Sequence, residues 1–226
     1  MNAAPLHVLY GGTFDPVHCG HLAVARAARD ALGAEVALMP AADPPHRPPP
    51  GASAEHRARM LELALAGEPG LRVDRRELQR TGRSYSVDTL LALRAELGAD
   101  APVALLVGAD SFRGLPTWHR WRELLGLAHF VVAERPGSPL DRGLDEPLAS
   151  AIAGRLAETP AALRAAPAGR IWRLQQPLRP ESASELRRRI AAGEPWRDWV
   201  PAMVAEYIER HGLYRPTAGA APPAPV

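Results

Sequence analysis

Gly11-Gly12-Thr13-Phe14-Asp15-Pro16-Val17-His18-Cys19-Gly20-His21 is the stretch that decides the fold. It follows directly on the apolar run Leu6-His7-Val8-Leu9-Tyr10, which reads as a buried strand. From Gly20 to Leu32 the spacing turns helical: Leu22, Ala25, Ala28 and Leu32 share one face, with Arg26, Arg29 and Asp30 away from it and Gly33 as a stop. Strand, glycine turn and helix therefore follow one another without a spacer. Paired glycines let backbone amides approach a phosphate with no side chain in the way. His18 and His21, three apart at the start of the helix, can share one face of its N-terminus. There the helix dipole and the unsatisfied amides already favour an anion. Two imidazoles at that place can donate hydrogen bonds to a polyphosphate. Taken singly, the same residues are also a plain glycine turn with two incidental histidines.

Outward from this stretch, strands and helices alternate. Glu35–Pro40 is a second strand, and Ala41–Ser53, rich in proline, is a loop. Ala54–Ala66 reads as a helix, Leu71–Asp74 as a weak strand, and Ser86 as the N-cap of a helix running to Leu97. Val103–Val107 is the strongest buried-strand run and ends at Gly108-Ala109-Asp110. A helix over Thr117–Leu125, a strand over His129–Glu134, an exposed loop from Pro136 to Pro147 and a strand at Ile171–Leu174 follow. Helices at Ser184–Ala192 and Pro201–His211 complete the pattern. The expectation is an α/β fold, a Rossmann-like doubly wound parallel sheet with helices on both faces and a C-terminal helical segment. Residues 1–215 would form one domain, and 216–226, nearly all Ala, Gly and Pro, a disordered tail. In such sheets ligands gather at the carboxyl ends of the strands, near the switch in strand order. The unusual residues fall there: after strand one, after strand two (Pro44 to Arg47) and after the central strand (Gly108 to Trp118).

Composition narrows the function classes. The 226 residues are 46% apolar, enough for a proper core, and 23% charged with a formal net charge of +2. That balance argues against nucleic acid or an anionic membrane as partner. Every basic residue is arginine, so any phosphate-binding lysine must be replaced by a guanidinium. The single cysteine, Cys19, excludes an internal disulfide and a cysteine-based zinc cluster. No run approaches the ~20 apolar residues of a membrane span. The N-terminus lacks the regions of a signal peptide, and the reading is a soluble cytoplasmic protein.

Four further groups carry chemistry. In Pro44-Pro45-His46-Arg47, the guanidinium of Arg47 can neutralise phosphate charge, or the segment is a proline-rich loop with a solvated His and Arg. In Ser84-Tyr85-Ser86-Val87-Asp88-Thr89, Ser86 and Asp88 suit a helix start. Asp110, after Gly108-Ala109, can accept a hydrogen bond from a ribose hydroxyl. It is followed by Leu115-Pro116-Thr117-Trp118-His119-Arg120-Trp121, where Trp121 reads as core and His119 as solvated. Glu181-Ser182-Ala183-Ser184-Glu185-Leu186-Arg187 opens a helix with hydroxyls and an arginine.

These segments, in this order, resemble the nucleotidyltransferase superfamily marked by His-x-Gly-His. The long form Gly-Gly-Thr-Phe-Asp-Pro-Val-His-x-Gly-His is similar to its bacterial nicotinate mononucleotide adenylyltransferase branch. The resemblance runs from residue 6 to 215, including Tyr207-Ile208 to Leu213-Tyr214. It implies attack by a substrate phosphate on the α-phosphorus of ATP, with Mg²⁺ present and pyrophosphate leaving. His18, His21 and Arg47 would then be catalytic. Gly11, Gly12, Thr13, Phe14, Gly108, Asp110, Arg135, Ser182, Ser184 and Arg187 would bind ATP. His46, Tyr85, Thr89 and Trp118 would bind the nicotinate mononucleotide, Trp118 stacking on its pyridine ring. No protein metal ligand is implied, and a homo-oligomer stays open. The chain departs from the family at Arg47 for lysine, Glu181 for isoleucine and Ser184 for threonine. Glu181 would repel a polyphosphate unless it points away.

The rival readings are a sister enzyme acting on nicotinamide mononucleotide or phosphopantetheine, and a non-catalytic nucleotide-sensing module. A nicotinamide-dependent dehydrogenase is weakened by the lack of Gly-x-Gly-x-x-Gly after strand one and by Met39-Pro40 where an acid should close strand two.

Overall fold

The computed structural model describes residues 4–43, 49–80, 82–133, 144–176 and 179–216. Six strands, β1 (His7–Gly12), β2 (Val36–Pro40), β3 (Leu71–Val73), β4 (Val103–Gly108), β5 (His129–Ala133) and β6 (Ile171–Leu174), form one sheet in the order β3-β2-β1-β4-β5-β6. All its pairings are parallel. The strand order reverses between β1 and β4, where Leu9 lies beside Leu105 and Tyr10 beside Leu106. This is the expected doubly wound sheet.

Alternation along the strands divides the core between two faces. Val8, Tyr10, Ala104 and Leu106 pack with α1 (Cys19–Leu32), α2 (Ala54–Leu65), α7 (Ala183–Ala192) and α8 (Ala202–Arg210). Leu9, Val103, Leu105 and Val107 pack with α3 (Ser86–Leu97), α4 (Ala109–Arg113), α5 (Trp121–Leu127) and α6 (Leu148–Ile152). The expected face of α1, Leu22, Ala25, Ala28 and Leu32, is buried throughout. At a site such as Leu106, fully buried, truncation to alanine costs about 3–5 kcal/mol. Among the described residues no helix is long and apolar enough to cross a membrane.

Some local expectations need correction. Tyr85, extended at φ −88° and ψ 127°, takes the cap position of α3, so Ser86 is its first helical residue and supplies no cap bond. The residues after β4 form α4, a short helix that Gly108-Ala109-Asp110 did not announce. The helix expected over Thr117–Leu125 begins later. Leu115–Thr117 is a 3₁₀ turn with proline near its start, Trp118 is extended, and Arg120 is left-handed at φ 52°. Those two backbone reversals delay α5 to Trp121, which packs in the core as expected. The loop expected from Pro136 to Pro147 falls mostly, and the tail from Thr217 wholly, outside the described residues.

Candidate active site

A cavity of about 800 Å³ opens at the carboxyl rim, where β1 and β4 lie side by side. Its first wall is the end of β1 and the start of α1. The His21 Nδ1 accepts the backbone N–H of His18 at 3.3 Å. The neutral His21 ring therefore carries its proton on Nε2, which makes that atom a donor. The two imidazoles stack, centroids 3.7 Å apart. Phe14, left-handed at φ 50° and buried, sets its ring edge-on to Tyr10 (5.5 Å) and to His21 (5.0 Å). A Cβ on Gly12 would lie 2.9 Å from the Phe14 ring, which has no room to withdraw. A Cβ on Gly20 would lie 3.0 Å from the His18 ring. Both glycines are thus required by close approach to the side chains that shape the wall.

The second wall is the start of α7. Ser182 Oγ accepts the Glu185 N–H at 3.3 Å and lies 3.5 Å from Ser184 Oγ. Of the run Arg187-Arg188-Arg189, Arg187 lines the cavity. Arg188 pairs with Glu185 (2.8 Å) and Glu194 (2.6 Å), while Arg189 pairs with Glu185 (3.0 Å) and lies over Trp199. Glu185, held by those two guanidiniums, has its pKa lowered to about 2. Glu181 does not stand bare before the cavity: it is buried and accepts from Arg179 Nη2 at 2.6 Å. That pairing offsets the repulsion expected of an acid at this place.

The third wall comes from the β3–α3 connection and the residues after β4. Tyr85, Trp118 and His119 line it, and the exposed His119 ring lies 4.5 Å from that of Tyr85. Thr89, expected to touch substrate, is instead buried and absent from the lining; its Oγ1 donates to Glu77 Oε1 at 2.8 Å. Glu77, buried and lining the cavity, has its pKa raised by burial. Asp110 lies at the rim, exposed, 3.4 Å from Arg113.

Beneath these walls Arg57 joins the loops that bear them. Fully buried, it donates to the carbonyls of Thr13 (2.7 Å), Ala41 (2.7 Å), Ala42 (3.2 Å) and Ala52 (3.2 Å). Burial lowers its pKa. Ser84 Oγ adds to the same joint by accepting from the N–H groups of Ala42 (2.9 Å) and Asp43 (3.3 Å).

Of the expected site residues, the structure brings Gly11, Gly12, Thr13, Phe14, His18, His21, Tyr85, Gly108, Asp110, Trp118, Ser182, Ser184 and Arg187 to one cavity. His46, Arg47 and Arg135 lie outside the described residues. Sequence reasoning assigned no role to Arg57, Glu77 or Arg179, and quoted Asp15 only as a letter of the motif. Asp15 was within reach, since its place inside that string was a signal. The others are recognisable only by partners brought near in the fold.

The donor set bears on a divalent cation. Among the described residues no three His, Cys, Asp or Glu side chains gather to hold a metal. The buried carboxylates at the cavity have partners, Asp15 the Gly51 and Ala52 amides, Glu77 the Thr89 hydroxyl and Glu181 Oε1 the Arg179 guanidinium, while Glu181 Oε2 is buried with no hydrogen-bond partner among the described residues. Such a rim fits a hard cation that arrives on phosphate oxygens and keeps much of its water.

Comparison with known proteins agrees with this geometry. The family model described as cytidylyltransferase-like matches residues 9–189. A curated relative from Stenotrophomonas maltophilia, named "Probable nicotinate-nucleotide adenylyltransferase", is 60% identical over 215 residues, covering 93% of this chain and 97% of its own. One of the same name from Cronobacter sakazakii is 46% identical over 212 residues, covering 93% and 96%. Among solved structures, the Plasmodium falciparum nicotinic acid mononucleotide adenylyltransferase complexed with NaAD matches with a TM-score of 0.69. That match spans 93% of this chain and 97% of the other at 15% identity, a likeness of fold.

Proposed function

The chain belongs to the cytidylyltransferase-like family, among the nicotinate-nucleotide adenylyltransferases, and from that membership we propose how its cavity works. It transfers AMP from ATP to nicotinate mononucleotide, giving nicotinate adenine dinucleotide and pyrophosphate, a step of NAD biosynthesis. The observation that carries the reading is the meeting of two helix N-termini, with His18, His21 and Arg187, in one cavity at the strand-order switch.

The acceptor's phosphate oxygen is the nucleophile. It bonds to the α-phosphorus of ATP as the bond from that phosphorus to the bridging oxygen breaks, and the electron pair leaves with pyrophosphate. No side chain need bond to the substrate, so catalysis is positioning and neutralisation of charge. We assign His21 Nε2–H and the α1 amides to the α- and β-phosphates, with His18 beside them. Ser182, Ser184 and Arg187 hold the phosphates from the α7 side, and Gly11 to Phe14 and Gly108 give the nucleotide its backbone contacts. Asp110 takes the ribose. Trp118 and Tyr85 take the pyridine ring, a stack contributing about 0.5–1.5 kcal/mol beyond burial. Thr89 contributes through Glu77. His46, Arg47 and Arg135 keep the roles the family resemblance implies. The cation would be Mg²⁺, held by the triphosphate and water rather than by a cluster of protein ligands, and it would supply charge neutralisation on the phosphate oxygens. Residues 1–215 act as one unit, supported by two core clusters that share a single sheet. The one free cysteine, Cys19, suits the reducing cytoplasm.

The test is an assay of purified protein with ATP and Mg²⁺, offered nicotinate mononucleotide, nicotinamide mononucleotide and phosphopantetheine separately. Pyrophosphate release is expected to be fastest with the first. ATP binding with no release for any acceptor would point to a nucleotide sensor instead.

A further inference from the structure

Tyr214 closes the described helical segment in a conformation that a tyrosine does not adopt without cause. Its backbone is left-handed at φ 65°, a region that favours glycine and strains a residue with a Cβ. Its ring lies against Gly51, 3.1 Å from where a Cβ would stand. Its hydroxyl donates to Asp15 Oδ1 at 2.8 Å, across 199 residues of sequence. Burial, then the adjacent carboxylate, raises the phenol's pKa, so it stays a donor.

Asp15 is itself buried. Its Oδ2 accepts the Gly51 N–H at 2.7 Å and its Oδ1 the Ala52 N–H at 3.1 Å. Arg187 Nη1 donates to the Asp15 backbone carbonyl at 2.6 Å and stands farther, 3.5 Å, from Oδ2. The carboxylate is thus turned toward the 51–52 amides and the phenol, and Arg187 is held chiefly by a neutral carbonyl. Pinning one corner of the planar guanidinium fixes the plane in which its other donors meet a phosphate.

We propose that Tyr214 is a positioning residue for ATP, acting through Asp15 on Arg187. Together with the loop amides it keeps the Asp15 carboxylate from turning to Arg187 and drawing the guanidinium into a closed ion pair. The inference rests on the assignment of Arg187 to ATP phosphates made above.

A double-mutant cycle tests it. The variants are Tyr214→Phe, Arg187→Ala and both together. The readouts are the Kd of an α,β-methylene analogue of ATP with Mg²⁺, and the KM for each substrate. Tyr214→Phe alone is expected to weaken analogue binding about tenfold, the worth of one hydrogen bond to a charged group, while the KM for the acceptor holds. In the Arg187→Ala background the same change is expected to do nothing further. Equal factors in both backgrounds, or a lower melting temperature with unchanged binding, would overturn the proposal. If Tyr214→Phe does not fold, Tyr214→Leu, which also removes the hydroxyl and leaves the Asp15 charge in place, takes its position in the cycle, with the same outcomes read the same way. Wild-type turnover is measured alongside. Its absence would sink the proposed function, whereas turnover with an additive cycle would sink only this inference.

Discussion

The two rims of the sheet use the same residue type for opposite ends. At the amino rim, helices finish and their carbonyls lack partners. Arg94 donates there to the carbonyls of Leu127 (2.7 Å) and Pro167 (2.7 Å), and Arg164 to those of Leu32 (2.6 Å) and Gly33 (3.2 Å). At the carboxyl rim, helices begin and their amides lack partners. There the chain leaves α1 and α7 open to a cavity and keeps Arg187 at its wall, while Arg57 is spent below on loop carbonyls. An arginine at the amino rim completes the fold. One at the carboxyl rim either holds the cavity in shape or faces what enters it. In a chain without lysine, location alone separates these uses.

The widest difference between the rims is expected at His21. His21→Ala removes the Nε2 donor and should lower kcat roughly a hundredfold or more, the scale seen on removing a preorganised oxyanion donor. Apparent substrate affinity should change far less, and the urea unfolding midpoint little. A folded variant whose whole loss lay in substrate binding would argue against a transition-state role. Arg57→Met should blur the comparison, because Arg57 serves both fold and site. The change keeps most of the stem but strands carbonyls of Thr13, Ala41, Ala42 and Ala52, at a cost of about 3 kcal/mol of stability. Urea unfolding reads that loss, and turnover should fall with it, since those loops form the wall. Unchanged turnover in the folded fraction would show the loops to be set by other contacts.

The same contrast marks what was legible in the sequence. The carboxyl rim could be located because its parts are local strings: Gly11 to His21 and Ser182 to Arg187 each carry a helix start and polar groups within a short stretch of chain. The sheet was legible for a similar reason, since Leu6–Tyr10 and Val103–Val107 are continuous apolar runs, as strands buried on both faces require. Thr89 was assigned to substrate through the resemblance of the Tyr85–Thr89 string to the family, and a local string says nothing of Glu77, which turns the Thr89 hydroxyl inward from a separate segment. Arg57 has the same cause: nothing beside it in sequence distinguishes it from exposed Arg59 on the same helix. The helix from Thr117 slipped to Trp121 through backbone choices at Trp118 and Arg120 that side-chain periodicity does not encode. Strings reveal walls; buried polar joints need the fold.

At the amino rim the expected effects are smaller and confined to stability. Arg94→Ala leaves the Leu127 and Pro167 carbonyls without that donor in a partly exposed setting, and should cost about 1–2 kcal/mol. The values of kcat and KM should match wild type, because the cavity opens at the opposite ends of the strands. A loss of turnover at unchanged fold would mean that the rims are coupled through β4 or α3.

The smallest expected effect is a pH slope that distinguishes the rims by sign. His129, at the start of β5, is fully buried; its Nδ1 accepts the Arg170 N–H at 3.0 Å and its Nε2 lies 2.9 Å from the Ala166 carbonyl. The ring is satisfied as a neutral Nε2–H tautomer, and a second proton would set N–H against N–H. Burial, the largest cause, lowers its pKa from 6.5. Between the folded pKa and 6.5 the unfolded chain binds more protons, so this group's contribution is intact above 6.5 and is lost as pH falls toward the folded value. Glu77, at the carboxyl rim, has its pKa raised from 4.5 by burial, so the folded chain binds more protons above 4.5 and stability from it falls as pH rises. Urea midpoints taken between about pH 7 and pH 5.5 should decline more steeply for wild type than for His129→Phe, and just above pH 4.5 Glu77→Gln should remove the slope of opposite sign. A His129→Phe slope equal to wild type would show that the acid sensitivity arises elsewhere than in this buried ring.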